Sequence, residues 1–260
     1  MNKKLSIITV NYNNVAGLQK TVESVLSQTW RNFEYIVIDG GSTDGSATYL
    51  ASHNTELTYW VSEPDQGIYD AMNKGIAKAT GEYLFFLNSG DHFNHNDALA
   101  QIEKELQQDG FIYFDINVVT ASTSFTLHNP EKFSFVYLHN NLPCHQCTFI
   151  HKTVFERLGY YDTTLKIVAD WKLLLLAVLK YNFSYRKVAG VFTTFYQDGI
   201  SSLPENKATI DAERATVLAT EFPILMQDLK EYNYLQRVLR NLRKSRKIQW
   251  MIRLGWLDQF

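Results

Sequence analysis

Three short apolar segments, each followed at once by polar residues, constrain the fold of this 260-residue chain most strongly. The segments are residues 5–10, 35–38 and 83–87. Apolar residues recur between them at helical spacing, at Leu18, Val22, Val25, Leu26, Ile68, Met72, Ile76 and Ala79. Continuous apolar strands are typical of sheets buried on both faces, and strands that alternate with helices form parallel sheets. The sequence therefore predicts an α/β fold with a doubly wound, mostly parallel sheet.

Polar side chains stand directly after each of the three segments. Asn11 and Asn13 follow the first, Asp39 follows the second, and residues 88–91 (Asn-Ser-Gly-Asp) follow the third. An Asp after a strand is often only a turn former or a helix N-cap. However, ligands of doubly wound sheets bind at the carboxyl ends of the strands. Three polar clusters at this one edge therefore favour a ligand-binding site.

The second half of the chain has a less regular pattern. It predicts strands at 111–119, 183–188 and 191–196, helices at 153–158, 170–181 and 206–220, and an irregular, aromatic-rich connection at 120–143. Lys and Arg number 25 against 27 Asp and Glu, which gives a net charge of −2. This balance excludes a chain that is basic overall, so nucleic acid is not an expected partner.

Cysteine usage and apolar run lengths bear on where the protein works. Cys144 and Cys147 form a C-x-x-C pair with no second pair to complete a zinc site, so we expect reduced thiols. The apolar stretch after the charged first four residues is too short for an export signal. The longest apolar run, residues 173–179, is too short to span a membrane. These patterns predict a cytoplasmic protein.

Several motifs resemble those of a known family. The three N-terminal signatures of family 2 glycosyltransferases, which have the GT-A fold, are similar to Ser6-Ile7-Ile8-Thr9-Val10-Asn11-Tyr12-Asn13, Ile38-Asp39-Gly40-Gly41-Ser42-Thr43-Asp44-Gly45 and Leu87-Asn88-Ser89-Gly90-Asp91. The segment at residues 63–75 (EPDQGIYDAMNKG) resembles a subgroup that assembles bacterial surface polysaccharides, including enzymes of the colanic-acid type. The same pattern continues at His145-Gln146, Gly159-Tyr160-Tyr161-Asp162, Ala169-Asp170-Trp171 and Gly199-Ile200-Ser201-Ser202. The resemblance covers about residues 4–203.

The resemblance implies a set of donor-binding residues. Those expected to face the nucleoside of a nucleotide-sugar, which the family's habit makes UDP-linked, are Thr9, Asn11, Tyr12 and Asp39. The family's metal motif is usually Asp-x-Asp, but it reads Ser89-Gly90-Asp91 here. Asp91 is then the expected ligand of Mn²⁺ or Mg²⁺ on the diphosphate, since such ions need few protein ligands. Asn88 and Asp65 are candidates for the second contact that the missing acid leaves open. Lys74 is either a diphosphate contact or a solvated lysine.

The resemblance also implies an acceptor side. Asp170 is the expected general base, with a helix N-cap as its alternative role. His145 and Gln146 are expected to line the donor sugar or the acceptor. Trp171 either stacks on an acceptor sugar or packs in the core. In-line displacement at the anomeric carbon would invert its configuration, and the expected acceptor is a glycan or a polyprenyl-linked glycan.

Two other functions compete with sugar transfer as explanations of these residues. A nucleotidyltransferase would need a glycine-rich, basic loop after the first strand, but residues 11–20 contain one Gly and one Lys. A nucleotide-sugar-binding domain that has lost catalysis is supported only by the incomplete metal motif, and Asp170 counts against it. Sugar transfer is therefore the favoured function.

The composition changes near the C-terminus. From residue 232 onward the basic residues are Arg237, Arg240, Arg243, Lys244, Arg246, Lys247 and Arg253, against the single acid Asp258. Apolar residues fall at helical spacing, and Trp250 and Trp256 lie near the end. We expect a GT-A domain over residues 1–220, with a nucleotide-sugar half (1–110) and an acceptor half (111–220). Residues 221–260 are then a basic amphipathic extension that docks on an anionic membrane surface or packs on the catalytic domain.

Overall fold

A computed structural model describes residues 3–197 and 199–258. The strands are β1 (Leu5–Asn11), β2 (Phe33–Asp39), β3 (Tyr59–Ser62), β4 (Tyr83–Phe86), β5 (His92–Phe93), β6 (Phe111–Val119), β7 (Ser124–Leu127), β8 (Thr148–His151) and β9 (Tyr185–Tyr196). The helices are α1 (Val15–Leu26), α2 (Ser46–Ser52), α3 (Ile68–Lys78), α4 (Ala98–Ile102), α5 (Phe135–Asn140), α6 (Lys152–Leu158), α7 (Ala169–Leu179), α8 (Lys207–Glu221), α9 (Pro223–Lys244) and α10 (Arg246–Arg253).

The strands form one mixed sheet in the order β3-β2-β1-β4-β8-β6-β9-β5, with β7 paired to β6. The first four strands in this order are parallel, and every residue of β1 and β2 is buried. Burial on both faces explains why most residues of these strands are apolar. The buried Ser6 of β1 donates to Glu34 of β2 at 2.6 Å, so these two polar side chains satisfy each other. The predicted α/β class is confirmed, but the parallel arrangement is confined to these four strands and the β6–β9 pair. The β4–β8, β6–β8, β6–β7 and β5–β9 pairs are antiparallel.

The second half of the sheet departs from the predicted elements in two places. The connection at 120–143 contains β7 and α5. The two strands predicted on either side of Gly190 are a single strand, β9. The pairing of β6 with β9 jumps from Tyr113–Lys187 to Asp115–Val191, so β9 carries two extra residues at that point. Gly190, with φ of 132°, accommodates this bulge, because that backbone conformation is rarely open to other residues.

The chain divides into two compact units, one ending at Ile210 and the other beginning at Asp211. The boundary that the sequence places at 220 and 221 stays a prediction. In the second unit α9 begins with Pro223 in its first turn, and its C-cap Ser245 is also the N-cap of α10. No helix within the described ranges combines the length and apolar character required to cross a bilayer.

Candidate active site

The carboxylate of Asp39 organises the edge of the sheet where β1 and β2 end. The register of the two strands places Asn11 opposite Asp39. Asp39 is fully buried, and it accepts hydrogen bonds from Asn11 Nδ2 (2.6 Å), Ser42 N (2.9 Å), Ser42 Oγ (2.5 Å) and Ser62 Oγ (2.5 Å). Burial alone would raise the pKa of Asp39, but these donors outweigh it and hold the pKa below its usual value. Asp39 is therefore ionised at neutral pH.

These contacts define what Asp39 can offer a ligand. Each carboxylate oxygen accepts two hydrogen bonds within the protein, which is the full capacity of a carboxylate. A nucleobase N–H can bond to Asp39 only if a serine hydroxyl, Ser42 or Ser62, turns away. The assignment of Asp39 to the nucleoside stays a prediction, and it requires one of these two hydroxyls to turn away.

Two other residues predicted for the nucleoside occupy different environments. Thr9 is fully buried, and its hydroxyl lies 2.7 Å from the Leu87 carbonyl oxygen and 3.0 Å from the Tyr35 hydroxyl. This places Thr9 between strands and away from any ligand surface, contrary to its predicted role. Tyr12 is 68% exposed and lies against Gly40, where an added Cβ would be 3.2 Å from the ring. Tyr12 is therefore open to stack on a base.

Asp65 also lies against Gly40, near the same Cβ position as Tyr12. A Cβ at Gly40 would come within 2.4 Å of Asp65 Oδ2, so a larger residue would displace the Asp65 carboxylate. The Asp65 carboxylate also accepts a hydrogen bond from Gly67 N at 2.9 Å. Asp65 thus lines the edge that Tyr12 and Asp39 share.

The loop after β4 holds the predicted metal ligand. Asp91 is 5% exposed, and it accepts hydrogen bonds from Gln146 Nε2 (2.9 Å) and from Tyr196 N (3.1 Å). Gln146 is buried at this contact and therefore supports Asp91. The Ser89 hydroxyl donates to the Asn14 carbonyl oxygen at 3.2 Å. The loop is thus anchored by three other parts of the chain.

Asn88, in the same loop, has one satisfied and one unsatisfied side-chain atom. Its Nδ2 lies 2.9 Å from His145 Nε2. Its Oδ1 is buried and has no hydrogen-bond partner among the described residues. An acceptor of this kind is available to a ligand hydroxyl or a cation.

Asp170 lies at the start of α7, across the edge from this loop. The helix begins at Ala169 with Val168 as its N-cap, so Asp170 is not the cap. Asp170 Oδ1 accepts from Trp171 N at 2.8 Å and lies 2.9 Å from the Tyr69 hydroxyl. Asp170 Oδ2 lies 3.5 Å from His145 Nδ1. Burial would raise the pKa of Asp170, but these partners, led by His145, bring it below its usual value.

Two predicted substrate contacts are engaged within the protein instead. Trp171 is 1% exposed, and its indole N–H donates to the Leu138 carbonyl oxygen at 2.6 Å. It therefore packs in the core and offers no face to an acceptor sugar. Lys74 Nζ lies 2.9 Å from Glu63 Oε1 and 3.8 Å from Asp70 Oδ2, and these acids neutralise its charge.

The structure also brings in residues that the sequence did not single out. Tyr69 belongs to α3, and its hydroxyl lies 2.9 Å from Oδ1 of Asp170, which is 101 positions away in the chain. Lys20 Nζ lies 2.5 Å from the Tyr196 hydroxyl and 3.9 Å from the centre of its ring. Because the Tyr196 N–H donates to Asp91, Lys20 brings a cation to the neighbourhood of the β4 loop. No local pattern could have paired residues so distant in sequence.

Both cysteines are free thiols, as predicted. Burial raises the pKa of Cys144 to about 12, and the charges of Asp170 and Asp91 contribute in the same direction. Within residues 3–197 and 199–258, no three His, Cys, Asp or Glu side chains group closely enough to form a metal site. A zinc site built on the C-x-x-C pair is therefore not found there.

Comparison with known proteins identifies the family. The model for "Glycosyl transferase family 2" matches residues 6–159, more than half of the chain. The chain belongs to glycosyl transferase family 2. The matched region includes Asp39, the β4 loop and His145, and it ends before Asp170.

Curated relatives agree with this family. The chain is 38% identical over 181 residues to an uncharacterised glycosyltransferase of Mycobacterium tuberculosis, covering 67% of this chain and 69% of that protein. It is 33% identical over 172 residues to a PGL/p-HBAD biosynthesis glycosyltransferase of Mycobacterium bovis, covering 64% of this chain and 66% of that protein. The chain is therefore a glycosyltransferase by family.

Solved structures share the fold, and the predicted GT-A architecture is confirmed. The S. aureus TarS fragment 1–349 in complex with UDP-GlcNAc superposes with a TM-score of 0.64 at 18% identity, covering 83% of this chain and 66% of that one. The mannosyltransferase PcManGT from Pyrobaculum calidifontis, in complex with GDP-Man and Mn²⁺, gives a TM-score of 0.57 at 16% identity, covering 96% and 84%. The chain spans 36% of a longer TarS chain.

We predict that Asp39→Asn destabilises the fold in a pH-dependent way. At pH 7 the variant should lose about 2 kcal/mol of the free energy of unfolding. The amide nitrogen of Asn would replace one carboxylate oxygen, and it cannot accept the two hydrogen bonds that this oxygen accepts. The native pKa of Asp39 is lowered, so its stabilisation is present above the unfolded value of about 4 and is lost as the pH falls through the native value. Urea unfolding at several pH values should therefore show the gap from wild type closing in acid. A gap of constant size would contradict this prediction.

Proposed function

We propose that this glycosyltransferase moves a sugar from a nucleotide-sugar, UDP-linked, to a hydroxyl of a glycan or polyprenyl-linked glycan, with inversion at the anomeric carbon. One observation carries the proposal: His145 contacts both Asn88 in the β4 loop and Asp170 at the start of α7. A carboxylate suited to act as a base therefore lies one side chain away from the loop proposed to hold the donor diphosphate. This arrangement supports a displacement reaction in which the loop holds the donor and the acceptor hydroxyl meets Asp170.

Asp170 is the proposed general base. Its side chain is 18% exposed, so it is shielded but reachable, and its lowered pKa keeps it ionised at neutral pH. The acceptor oxygen bonds to the anomeric carbon as the bond from that carbon to the diphosphate breaks. The acceptor proton moves to Asp170, and the nucleoside diphosphate leaves with the electron pair. Attack opposite to the leaving group inverts the anomeric centre.

Asp91 is the proposed ligand of a Mn²⁺ or Mg²⁺ ion. Its carboxylate and the unpartnered Oδ1 of Asn88 are hard oxygen donors on one short loop, and they fit such a cation if phosphates and water complete the shell. Both carboxylate oxygens already accept hydrogen bonds, so Asp91 is held in a fixed orientation. When bound, the ion would neutralise charge on the leaving diphosphate. Lys20, beside Tyr196, is a candidate for additional neutralisation.

The proposed acceptor class is a cell-envelope glycan. The M. bovis relative bears the name of a PGL/p-HBAD biosynthesis glycosyltransferase. The TarS structures with UDP and UDP-GlcNAc support a UDP-linked donor, although PcManGT was solved with GDP-Man. The proposed process is bacterial surface polysaccharide biosynthesis, with the colanic-acid-type enzymes as the proposed subgroup.

We also propose that the protein works at the cytoplasmic face of the membrane, held there by a C-terminal basic surface. This surface consists of Arg243, Lys244, Arg246, Lys247, Trp250, Arg253 and Trp256. The two indoles are 56% and 66% exposed, and their rings meet edge to face at 5.5 Å. Exposed tryptophans suit the headgroup region of a bilayer, and each nearby basic residue adds roughly 1 kcal/mol of attraction to anionic lipid.

The base is tested by Asp170→Asn. We expect the transfer rate to fall about a hundredfold or more while nucleotide binding is retained, because the amide keeps the size of the side chain but cannot take a proton. The measurements are release of nucleoside diphosphate from a panel of nucleotide-sugars and nucleotide affinity by calorimetry. Asp97→Asn, whose side chain is 61% exposed, is the matched control. Joint loss of binding and turnover would instead assign Asp170 to the donor site.

The same panel tests the proposed function itself. Turnover of at least one nucleotide-sugar by the wild-type protein is expected. A wild-type protein that binds a nucleotide-sugar but never turns it over would support a binding domain that has lost catalysis.

The metal ligand is tested by Asp91→Asn. This change removes the charge and keeps the volume, so we expect the fold to persist while nucleotide affinity stops responding to added Mn²⁺. Titration of UDP with and without Mn²⁺, alongside Asp97→Asn, measures the effect. An unchanged response to Mn²⁺ would remove Asp91 from the metal site.

Membrane docking is tested in the full chain by replacing both Trp250 and Trp256 with Ala. We expect at least tenfold weaker binding to vesicles that contain anionic phosphatidylglycerol, at physiological salt, with donor turnover unchanged. Phe125→Ala, which removes an aromatic side chain that is 48% exposed on β7, is the matched control. Equal vesicle binding by the double variant and the wild type would refute the docking surface.

A further inference from the structure

His145 occupies a position between the two parts of the proposed active site. Nε2 of its ring lies 2.9 Å from Asn88 Nδ2, and Nδ1 lies 3.5 Å from Asp170 Oδ2. The side chains of His145 and Asp170 are each 18% exposed. Both ring nitrogens therefore face protein groups, and neither is directed to a substrate.

The direction of the hydrogen bonds from Asn88 through His145 to Asp170 follows from the chemistry of the two end groups. An ionised carboxylate only accepts hydrogen bonds, so His145 Nδ1 must carry the hydrogen that faces Asp170. In the neutral ring, Nε2 is then an acceptor. Asn88 supplies the matching donor with its amide nitrogen, which leaves Asn88 Oδ1 as the atom without a partner. The three side chains thus form one directional sequence from the β4 loop to Asp170.

The two oxygens of Asp170 are not equivalent. Oδ1 accepts from Trp171 N at 2.8 Å and lies 2.9 Å from the hydroxyl of Tyr69. The Tyr69 hydroxyl is also 2.5 Å from the Ile167 carbonyl oxygen, so its single hydrogen is shared between two acceptors. Oδ2 has His145 as its neighbour and is the less occupied oxygen. Oδ2 is therefore the atom with room to take a proton.

We propose that His145 is a positioning residue that aims Oδ2 of Asp170 at the acceptor hydroxyl, in place of the substrate contact predicted from the sequence. This inference rests on the proposed function, since it needs Asp170 to act as a base. The 3.5 Å separation is long for a hydrogen bond, which is common for catalytic contacts before substrate binds. His145 also ties the base to the β4 loop, so donor binding and base orientation share one side chain.

The titratable groups around Asp170 determine how its pKa should respond to the loss of His145. Tyr69, Tyr161, Cys144 and His145 all interact with the Asp170 carboxylate. Burial and the Asp170 charge raise the pKa values of the two tyrosines and of Cys144, so these three groups stay neutral at neutral pH. Among the groups that lower the pKa of Asp170, His145 contributes most. Loss of His145 should therefore raise the pKa of the base.

Two substitutions of His145 separate positioning from simple packing. His145→Asn places an amide N–H near the position of Nδ1 and keeps a donor for Asp170, whereas His145→Gln places its amide near Nε2 and leaves Asp170 Oδ2 without one. We expect kcat of the Gln variant to fall at least thirtyfold, with donor KM changed less than threefold. The acid limb of its kcat–pH profile should move to higher pH. The Asn variant should be at least tenfold more active than the Gln variant.

Melting temperatures and the exposed-site control His128→Gln show whether the fold is preserved; the His128 side chain is 74% exposed. If the Gln variant does not fold, His145→Ala with added imidazole replaces it, and restoration of kcat by imidazole is the expected result. Equal losses in the Asn and Gln variants, an unmoved acid limb, a dominant rise in donor KM, or no imidazole rescue would each overturn the inference. If the wild-type protein is active and the variants give any of these contrary results, the proposed function stands and only the role of His145 is overturned. A wild-type protein without turnover would overturn both.

Discussion

The carboxylate of Asp39 is the fixed point on which the candidate site depends. Parallel pairing of β1 with β2 sets Asn11 opposite Asp39, and the four hydrogen bonds to Asp39 then fix the loop after β2 and the end of β3. A buried charge is tolerated only when its hydrogen-bonding capacity is met. The serine-rich loop supplies that capacity, so the stability of this sheet edge and the shape of the proposed nucleoside side of the site have the same physical origin.

The opposite side of the site depends on the junction between the two halves of the sheet. Strand β8 pairs with β4 and β6 in antiparallel fashion and so brings the 145–147 turn beside the β4 loop. Through this turn Gln146 supports Asp91, and His145 meets Asp170. Neighbouring residues on one rigid turn therefore support the proposed metal ligand and the proposed base.

Local sequence patterns predicted the first half of the fold well because its strands are buried on both faces and end at polar residues. They failed at β9, where Gly190 marks a bulge inside one strand and looks like a break between two. The i,i+4 spacing of Asp70 and Lys74 could have indicated that this lysine is already paired.

The site was predictable as a set of residues but not as a network of contacts. The contacts of Asp170 with Tyr69 and His145 join segments far apart in the chain, and no periodicity records such contacts. The sequence also could not distinguish a Trp171 that stacks on sugar from one that is buried, since both follow Asp170 at a helix start.

Where a sugar hydroxyl rather than the cation meets the unpartnered Oδ1 of Asn88, that atom has a consequence for how the site selects among sugars. A buried acceptor without a donor costs the free protein about 1–3 kcal/mol, and a ligand group that donates to it recovers that cost. A deoxy sugar, with no hydroxyl at the matching carbon, recovers nothing and leaves the oxygen desolvated. Pockets that must satisfy a buried polar atom reject such analogues far more strongly than pockets that measure size alone. The empty enzyme would thus bear the cost of this unpartnered oxygen. A sugar with the matching hydroxyl would bind more tightly because it removes that cost.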